Sequence, residues 1–236
     1  MMKIDSMHNL LRIAKHILFI IMRKDTRARR QVNYKKEKHG STYASWVICP
    51  DEIDNNSIIY SFGIGEDISF DLSIINKYGA NIYAYDPTPR SLEWLRGQIL
   101  PEQFKFFAYG LAHFNDTAKF YLPAIMNNVS HSLIKNENSA MDTIEVAVKT
   151  LSSFMNQNHH KRIDILKMDI EGAEYDVIDN ILKEKLNIKQ ILVEFHHRFG
   201  EIGIEKTKKC ISLLNENDYK IFYISPTGEE YCFIKI

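Results

Sequence analysis

From residue 57 onward, short apolar runs alternate with segments in which apolar residues recur at helical spacing. The lengths of the runs are typical of buried strands, and the segments between them are long enough for helices. The predicted strands are Ile58–Phe62, Ile82–Tyr85, Phe104–Tyr109, Ile163–Met168 and Gln190–Phe195. The predicted helices are Asp67–Lys77, Pro89–Gln98, Glu174–Leu182 and Glu205–Leu214. This alternation predicts a doubly wound, Rossmann-like α/β fold with a mostly parallel sheet.

The last two apolar runs break this rhythm. Tyr219–Ile224 and Tyr231–Ile236 are separated only by residues 225–230, which include a proline and a glycine. So short a link permits an antiparallel hairpin but no helical crossover, so we expect the sheet to end in a C-terminal antiparallel hairpin. A second break, residues 110–150, holds two strand-like runs around a polar loop. We expect this insertion to shape a substrate site.

The beginning of the chain has a different pattern. Residues 5–24 place most of their apolar side chains on one side of a predicted helix and Arg12, Lys15, His16 and Arg23 on the other. The first forty residues carry eleven Lys and Arg against three acids, a net charge of about +8, which leaves about −8 for the rest of this neutral chain. An apolar stripe beside basic residues favours contact with an anionic membrane. A helix docked on the domain, or one half of a dimer contact, has the same pattern.

Cysteine spacing and the length of the apolar runs argue against a zinc finger, a disulfide-rich protein and a membrane-spanning protein. The three cysteines have neither zinc-finger nor disulfide-framework spacing, which fits a reducing cytoplasm. The uninterrupted apolar run Ile17–Met22 is far shorter than the roughly 20 residues that span a bilayer, and no cleavage site follows it. We therefore expect an N-terminal amphipathic helix and basic linker at residues 1–38 and one globular domain at residues 39–236. The expected location is cytoplasmic, with peripheral contact at the inner membrane face as a further hypothesis.

A glycine turn follows the first predicted strand. Gly63 and Gly65 allow a tight bend and close approach of a ligand to the backbone. The dinucleotide fingerprint requires a third glycine where this chain has Ile68, which argues against NAD. Asp86 ends the second predicted strand, where a carboxylate accepts hydrogen bonds from ribose hydroxyls and repels a 2′-phosphate. The alternative is that Asp86 only shapes its turn and caps the next helix.

Four titratable residues follow the fourth and fifth predicted strands, where parallel strands place their ligand-binding ends. These are Asp169, Glu171, Glu194 and His196. Asp169, Glu171 or His196 is a candidate general base that removes the proton of a substrate hydroxyl group. All four together are candidate ligands of a divalent cation that would acidify such a hydroxyl group. The third interpretation is structural: Asp169 and Glu171 cap a helix that begins near Gly172, and one histidine only supports the fold.

Four stretches of this sequence, in the same order, resemble the FkbM-type methyltransferases. They are Tyr60–Asp71, Asp86–Ser91, Lys167–Glu174 and Val193–Phe199. The resemblance covers about residues 39–236 and implies a class I fold with S-adenosylmethionine as donor. It further implies O-methylation, with a sugar of a polysaccharide or a lipid-linked glycan as the acceptor by analogy. The expected donor-binding residues are Gly63, Gly65, Glu66, Asp67, Asp86 and Asp169.

Further side chains are candidates for contact with the acceptor. His39–Trp46 is also similar to a stretch of the family, although Ala44-Ser45 stands where the family has two glycines. The candidate acceptor contacts are Tyr43, Trp46, His131 and His197. Tyr43 and Trp46 are equally compatible with a place in the core. Strand alternation puts His197 on the face opposite Glu194 and His196.

Two other functions compete with methyl transfer. A nucleotide-dependent oxidoreductase shares the strand, glycine turn and acid, but conflicts with Ile68 and the terminal hairpin. A non-catalytic, methyltransferase-like binding module predicts weak donor binding. No nucleic-acid partner is expected, because the acidic domain offers no basic groove for a phosphate backbone.

Overall fold

The structure is a computed structural model that describes residues 2–22, 24–42, 44–123 and 139–236. Its helices are α1 (Met2–Ile21), α2 (Ser69–Tyr78), α3 (Pro89–Arg96), α4 (Leu151–Gln157), α5 (Glu174–Lys183) and α6 (Ile204–Glu216). The first six strands are β1 (Glu37–Gly40), β2 (Ser45–Ile48), β3 (Ile58–Phe62), β4 (Asn81–Tyr85), β5 (Phe104–Phe107) and β6 (Gly110–Leu111). The others are β7 (Asp116–Pro123), β8 (Ser139–Lys149), β9 (Ile163–Met168), β10 (Ile188–Glu194), β11 (Tyr219–Ile224) and β12 (Glu230–Lys235).

The central sheet has seven strands in the order β5-β4-β3-β9-β10-β12-β11. The first five are parallel to one another. β12 lies between β10 and β11 and is antiparallel to both. The predicted class I α/β fold, with its mostly parallel sheet and C-terminal antiparallel hairpin, is therefore confirmed.

The register of the sheet determines where the site forms. Met168, the last residue of β9, is paired with Phe62 of β3 on one side and Val193 of β10 on the other. Phe62 is also paired with Tyr85, the last residue of β4. The segments that follow β3, β4 and β9, together with the end of β10, therefore emerge at one edge of the sheet.

Two hydrophobic cores cover the two faces of the sheet, as the alternation of side chains along each strand requires. One core packs β-strand residues such as Tyr60, Phe62 and Met168 against α4, α5 and α6. The other packs residues such as Ile59 and Ile165 against α2, α3 and the β1–β2 hairpin. β6, β7 and β8 form a separate three-stranded sheet from the insertion at residues 110–150.

The N-terminal helix lies on the domain rather than apart from it. The predicted span, residues 5–24, corresponds to α1, which ends at Ile21. The segment that follows is also held, because Asp25 is buried and Gln31 donates its backbone N–H to the carbonyl of Ile221 at 2.8 Å. The predicted division at residues 38 and 39 falls inside β1. Within the described residues, no helix is long and apolar enough to cross a membrane.

Candidate active site

A cleft of about 340 Å³ lies at the edge of the sheet where β3, β4, β9 and β10 end. Residues from the turns after β3, β4 and β9 form its walls, together with the last residue of β10 and the first residue of β12. The insertion contributes Gly110, Leu111 and Phe120, so part of it lies at the cleft, as expected of a segment that shapes a substrate site.

The glycine turn after β3 has a separate physical reason for each glycine. Gly63 has a φ of +71°, and a Cβ placed on it would lie 1.7 Å from the backbone oxygen of Asp169. Gly63 is therefore required because the ends of β3 and β9 approach each other closely. Gly65 has a φ of +54°, but a Cβ there would meet nothing within 4 Å. Its backbone faces open space in the cleft, as a ligand-approach position requires.

Asp86 holds the glycine turn in place. One of its carboxylate oxygens accepts the backbone N–H of Gly65 at 3.0 Å, and the other accepts the backbone N–H and hydroxyl of Thr88. Thr88, rather than Asp86, is the N-cap of α3, so the predicted capping role belongs to the neighbouring residue. The oxygen that accepts from Gly65 has capacity for a second hydrogen bond, so a ribose hydroxyl fits this carboxylate.

The two acids next to the glycine turn also line the cleft, and both are held by neighbours. Glu66 forms a two-point contact with the Arg90 guanidinium, with both N–O distances at 2.9 Å. Asp67 accepts the Ser41 hydroxyl at 2.8 Å and the backbone N–H of Ser69 at 2.8 Å. These bonds connect the turn to α3 on one side and to the segment before β2 on the other.

Sequence reasoning missed a buried lysine at this edge. Lys167 of β9 lines the cleft and donates to the backbone oxygens of Phe62 and Gly63, at 3.2 and 2.7 Å. Its ammonium lies 5.5 Å from the centre of the Trp46 ring. Asp71 of α2 lines the cleft beside it, and burial raises the pKa of Asp71 to about 6 against the lowering effect of the Lys167 charge. The sequence signal that could have identified Lys167 is its position in a predicted strand whose residues are otherwise mostly apolar.

Asp169, Glu171 and His196 come together beyond the end of β9. The Nε2 atom of His196 lies 3.7 Å from a carboxylate oxygen of Asp169 and 3.4 Å from one of Glu171. One ligand atom from each residue falls within a group whose members are all within 4.8 Å of one another. Glu194 lines the cleft but is not a member of this group, so the structure brings together three of the four predicted metal ligands.

Glu174 supports this group and was also missed. It is fully buried at the start of α5, where one carboxylate oxygen accepts the backbone N–H groups of Ile170 and Gly172, each at 3.1 Å. The same oxygen lies 2.9 Å from Nδ1 of His196. Sequence offered no distinctive signal, because an acid in the first turn of a helix usually complements the helix dipole.

The predicted helix-capping role of Asp169 and Glu171 does not match this geometry. β9 ends at Met168, α5 begins at Glu174, and its N-cap Ala173 makes no side-chain cap bond. The strand therefore does not continue to Glu171, which has a φ of +53°. A left-handed backbone at a residue other than glycine is uncommon and is often found at functional sites.

The ionisation of this region departs from ordinary values. Burial opposes protonation of the His196 ring, but the neighbouring carboxylates, Glu174 foremost, outweigh it and hold the His196 pKa well above its usual value. Burial raises the pKa of Asp169, opposed by the charges of Lys167 and His196. Burial and then the Asp169 charge raise the pKa of Glu194 well above its usual value. A cluster of perturbed groups in a cleft is typical of a functional site.

The predicted acceptor contacts fall in different places. Trp46 lines the cleft. His197 is not among the lining residues; it is buried, and its Nε2 atom lies 2.9 Å from Asp25, so the structure gives it a structural place instead. His196 also does not line the cleft, and it reaches the cleft only through Asp169 and Glu171. Tyr43 and His131 lie outside the described residues.

The strand order, the antiparallel β12 and a cleft at the carboxyl ends of the strands define a class I, Rossmann-like methyltransferase fold. The methyltransferase FkbM domain matches residues 49–221, and the chain belongs to this family.

The chain is also similar to curated proteins and to a solved structure. The chain is 25% identical over 201 residues to a probable methyltransferase-like protein 24 of Homo sapiens, covering 77% of this chain and 48% of that protein. The Rattus norvegicus counterpart is 24% identical over 203 residues, covering 78% and 49%. The chain thus spans about half the length of the curated relatives it matches. Methyltransferase FkbM of Methylobacillus flagellatus aligns with a TM-score of 0.46 and 11% identity, covering 76% of this chain and 43% of that one.

Proposed function

We propose that this protein transfers a methyl group from S-adenosylmethionine to a hydroxyl of a sugar or glycan, either a polysaccharide or a lipid-linked saccharide. The charge of the cleft is the observation that carries the proposal. Among the described lining residues, eight are acids and one, Lys167, is a base. The acids are Glu66, Asp67, Asp71, Asp86, Asp169, Glu171, Glu194 and Glu230. The pKa values of Asp71, Asp169 and Glu194 are raised, but the other five acids still outnumber the single base. Such a cleft favours a cationic sulfonium and disfavours the anionic pyrophosphate of NAD.

The residues at the glycine turn fit the donor. Gly65 leaves open space beside the backbone, and Asp86 has capacity to accept from a ribose hydroxyl. Asp169, Glu66 and Asp67 supply further carboxylates on the walls of the same cleft. When bound, the donor supplies a methyl group on a sulfonium that is already activated. The main task of the protein is then to align the acceptor and to accept its proton.

We assign proton acceptance to Glu171. The backbone of Asp169 packs against Gly63, so Asp169 belongs to the donor side of the cleft, whereas Glu171 lies two residues further along the loop. With donor and acceptor bound, the carbon–sulfur bond would break as the acceptor oxygen bonds to the methyl carbon, which would leave S-adenosylhomocysteine, and the acceptor proton would pass to the Glu171 carboxylate. His196 is a positioning residue in this proposal, because its raised pKa keeps a positive charge beside Asp169 and Glu171 at neutral pH.

A divalent cation held by Asp169, Glu171 and His196 is a second possibility for the same step. The convergence of their ligand atoms favours it, and a bound cation would acidify the acceptor hydroxyl. A histidine binds metal through a neutral ring, so the cation must displace the proton that the raised pKa retains. Cation affinity should therefore rise with pH. Turnover that survives chelation unchanged would exclude this version.

The proposed acceptor class rests on the family analogy and on the lining of the cleft. Trp46, Tyr109 and Phe120 line it together with the carboxylates. Aromatic faces offer large apolar surfaces on which a sugar ring can pack, while acids accept bonds from its hydroxyls. We further propose a cytoplasmic site of action, because Cys49, Cys210 and Cys232 are free and buried, as suits a reducing compartment.

The test separates donor binding from proton transfer. Glu171→Gln keeps the shape of the side chain and removes the base, so we expect turnover to fall by about 10²–10⁴-fold with S-adenosylhomocysteine affinity unchanged. Glu93→Gln on α3, outside the cleft-lining set, is the matched control and should change neither. Methyl incorporation into a panel of glycan and lipid-linked saccharide acceptors supplies the rate. Full turnover in Glu171→Gln would remove this residue from the mechanism, and methylation of nitrogen acceptors alone would overturn the acceptor class.

A further inference from the structure

The N-terminal helix turns its apolar stripe away from the domain. On α1, Leu11, Ile17, Leu18 and Ile21 are 62%, 53%, 52% and 69% exposed. Ile13 and Met22 are exposed as well. Six of the ten large hydrophobic side chains exposed in the described part of the chain therefore lie on this helix or directly after it. Concentration of exposed apolar residues on one element marks an interaction surface.

The opposite side of α1 holds the helix on the domain. The Phe19 ring lies 4.7 Å from the Arg198 guanidinium, and Arg198 is ion-paired with Asp25 and Glu229. His16 lies against the turn between β11 and β12, where a Cβ on Gly228 would come within 2.3 Å of its ring. At about 100° per residue, His16 and Leu18 point about 160° apart, on nearly opposite sides of the helix. Docking on the domain therefore uses the side of α1 that carries His16 and Phe19, and it leaves Leu11, Ile17, Leu18 and Ile21 uncovered.

Exposed basic residues lie on α1 and in the segment that directly follows it. Lys15, Lys24, Arg27, Arg29 and Arg30 are all exposed, on α1 or within the nine residues after it. The acid within residues 15–30 differs from them, because Asp25 is buried in contact with His197 and Arg198. The exposed charge beside the stripe is therefore positive. A second copy of the chain would bring the same positive charges together, whereas an anionic lipid surface is complementary to them.

We propose that α1 and residues 24–30 bind an anionic lipid bilayer surface, with Leu11, Ile17, Leu18 and Ile21 entering the headgroup boundary and the basic residues contacting lipid phosphates. Such a helix lies in the plane of the interface. Because α1 docks beside the turn that precedes Glu230, and Glu230 lines the cleft, the membrane attachment lies next to the cleft. Lipid binding can be measured without any acceptor, so its outcome is independent of the proposed function.

Co-sedimentation of the full chain with sucrose-loaded vesicles tests the proposal. The vesicles contain phosphatidylcholine alone or with roughly 30% phosphatidylglycerol. We expect wild type to pellet with the anionic vesicles and to stay in the supernatant with neutral ones. The stripe variant combines Ile17→Gln, Leu18→Gln and Ile21→Gln, which retain helix propensity, and should lose at least about 100-fold in partition coefficient. Its matched control combines Ile99→Gln and Phe114→Gln, two exposed apolar residues outside α1, and should bind as wild type does.

A second variant removes basic charges instead of apolar side chains, and it tests lipid binding even if the stripe variant does not fold. Arg27→Gln, Arg29→Gln and Arg30→Gln together should reduce binding to anionic vesicles on the order of 100-fold at low salt, and high salt should mimic the effect on wild type. Wild type that stays in solution with both vesicle types overturns the proposal. An equal loss of vesicle binding in the control that combines Ile99→Gln and Phe114→Gln also overturns the proposal. Light scattering that shows a dimer dissociated by the stripe substitutions, without vesicle binding, assigns the stripe to a second copy instead.

Discussion

The two ends of the cleft are built differently. At the proposed donor end, Gly63, Gly65 and Asp86 are fixed by backbone geometry and by hydrogen bonds between adjacent turns. At the proposed acceptor end, Glu171 is one of several carboxylates around the His196 ring, whose pKa is raised. The first region depends on shape and the second on charge.

This difference separates two kinds of failure. A substitution at the donor end should disrupt the contact between the ends of β3 and β9. It should therefore lower both the free energy of unfolding and the affinity for the donor. A change in the acceptor end should alter proton transfer while leaving the donor site intact. Substitutions that are matched in size but placed at different ends can therefore test the division.

Gly63→Ala should have the largest effect. Its Cβ would overlap the backbone oxygen of Asp169, and alanine disfavours the positive φ, so we expect a loss of about 3 kcal/mol or more in the free energy of unfolding. Gly65→Ala is the matched control, because it has a positive φ but open space, and should lose about 1 kcal/mol. Urea unfolding of both variants provides the comparison. Equal losses would show that the close approach of β3 to β9 is not what requires Gly63.

Glu174→Gln should lower the His196 pKa, because it removes the carboxylate that does most to raise it. We expect turnover to fall by about 10–100-fold with donor affinity retained, as for loss of a partner that orients a reactive group. NMR titration of the His196 ring provides the pKa. An unchanged titration would remove Glu174 from the electrostatics of the site.

The same substitution should change how stability depends on pH. A histidine whose folded-state pKa is raised contributes stability that is fully present below its unfolded pKa and is lost as pH rises through the folded pKa. Wild type should therefore lose the contribution of His196 at alkaline pH, and Glu174→Gln should lose less over the same window. Unfolding free energies across that range, compared with Glu184→Gln at the C-cap of α5, separate the local effect from a general one.

Lys167→Met should have a smaller effect on stability, about 1–3 kcal/mol, because the backbone oxygens of Phe62 and Gly63 lose their side-chain donor. The Lys167 charge also lowers the Asp71 pKa, so the variant should raise it further. A raised pKa favours the protonated carboxyl in the folded state, so the loss should be greater above pH 6 than at acidic pH. Lys105→Met, at an exposed position on β5, should stay within about 0.5 kcal/mol of wild type. A loss in Lys167→Met that is independent of pH would contradict the coupling to Asp71.

Arg90→Gln should have the smallest effect. Its two-point contact with Glu66 is at the surface, where water screens the ion pair. We expect no more than about a twofold change in S-adenosylhomocysteine affinity, measured by calorimetry. A tenfold loss would show that Arg90 positions Glu66 for the donor.

Sequence patterns predicted the helices and strands better than the contacts between them. The alternating strands and helices, the hairpin formed by β11 and β12 and the glycine turn all follow from local periodicity and turn chemistry. β1, β2, β6 and α4 were not predicted, because they are too short to show a clear periodicity in the sequence.

The residues that support Glu171 and His196 were harder to predict from the sequence. Glu174 meets His196 across 22 positions of the chain, a contact that depends on strand register and that no local spacing encodes. Lys167 likewise acts on β3 from β9. Strand alternation did place His197 on the face opposite Glu194, but it could not show that Asp25 lies there.

Calorimetric titration with S-adenosylhomocysteine tests the central claim most directly, that the glycine turn and Asp86 jointly bind the donor. Wild type should bind with a Kd on the order of 1–100 µM, Asp86→Ala should lose most of that affinity, and Glu171→Gln should keep it. Absence of binding to wild type, or equal binding by wild type and Asp86→Ala, would contradict the account.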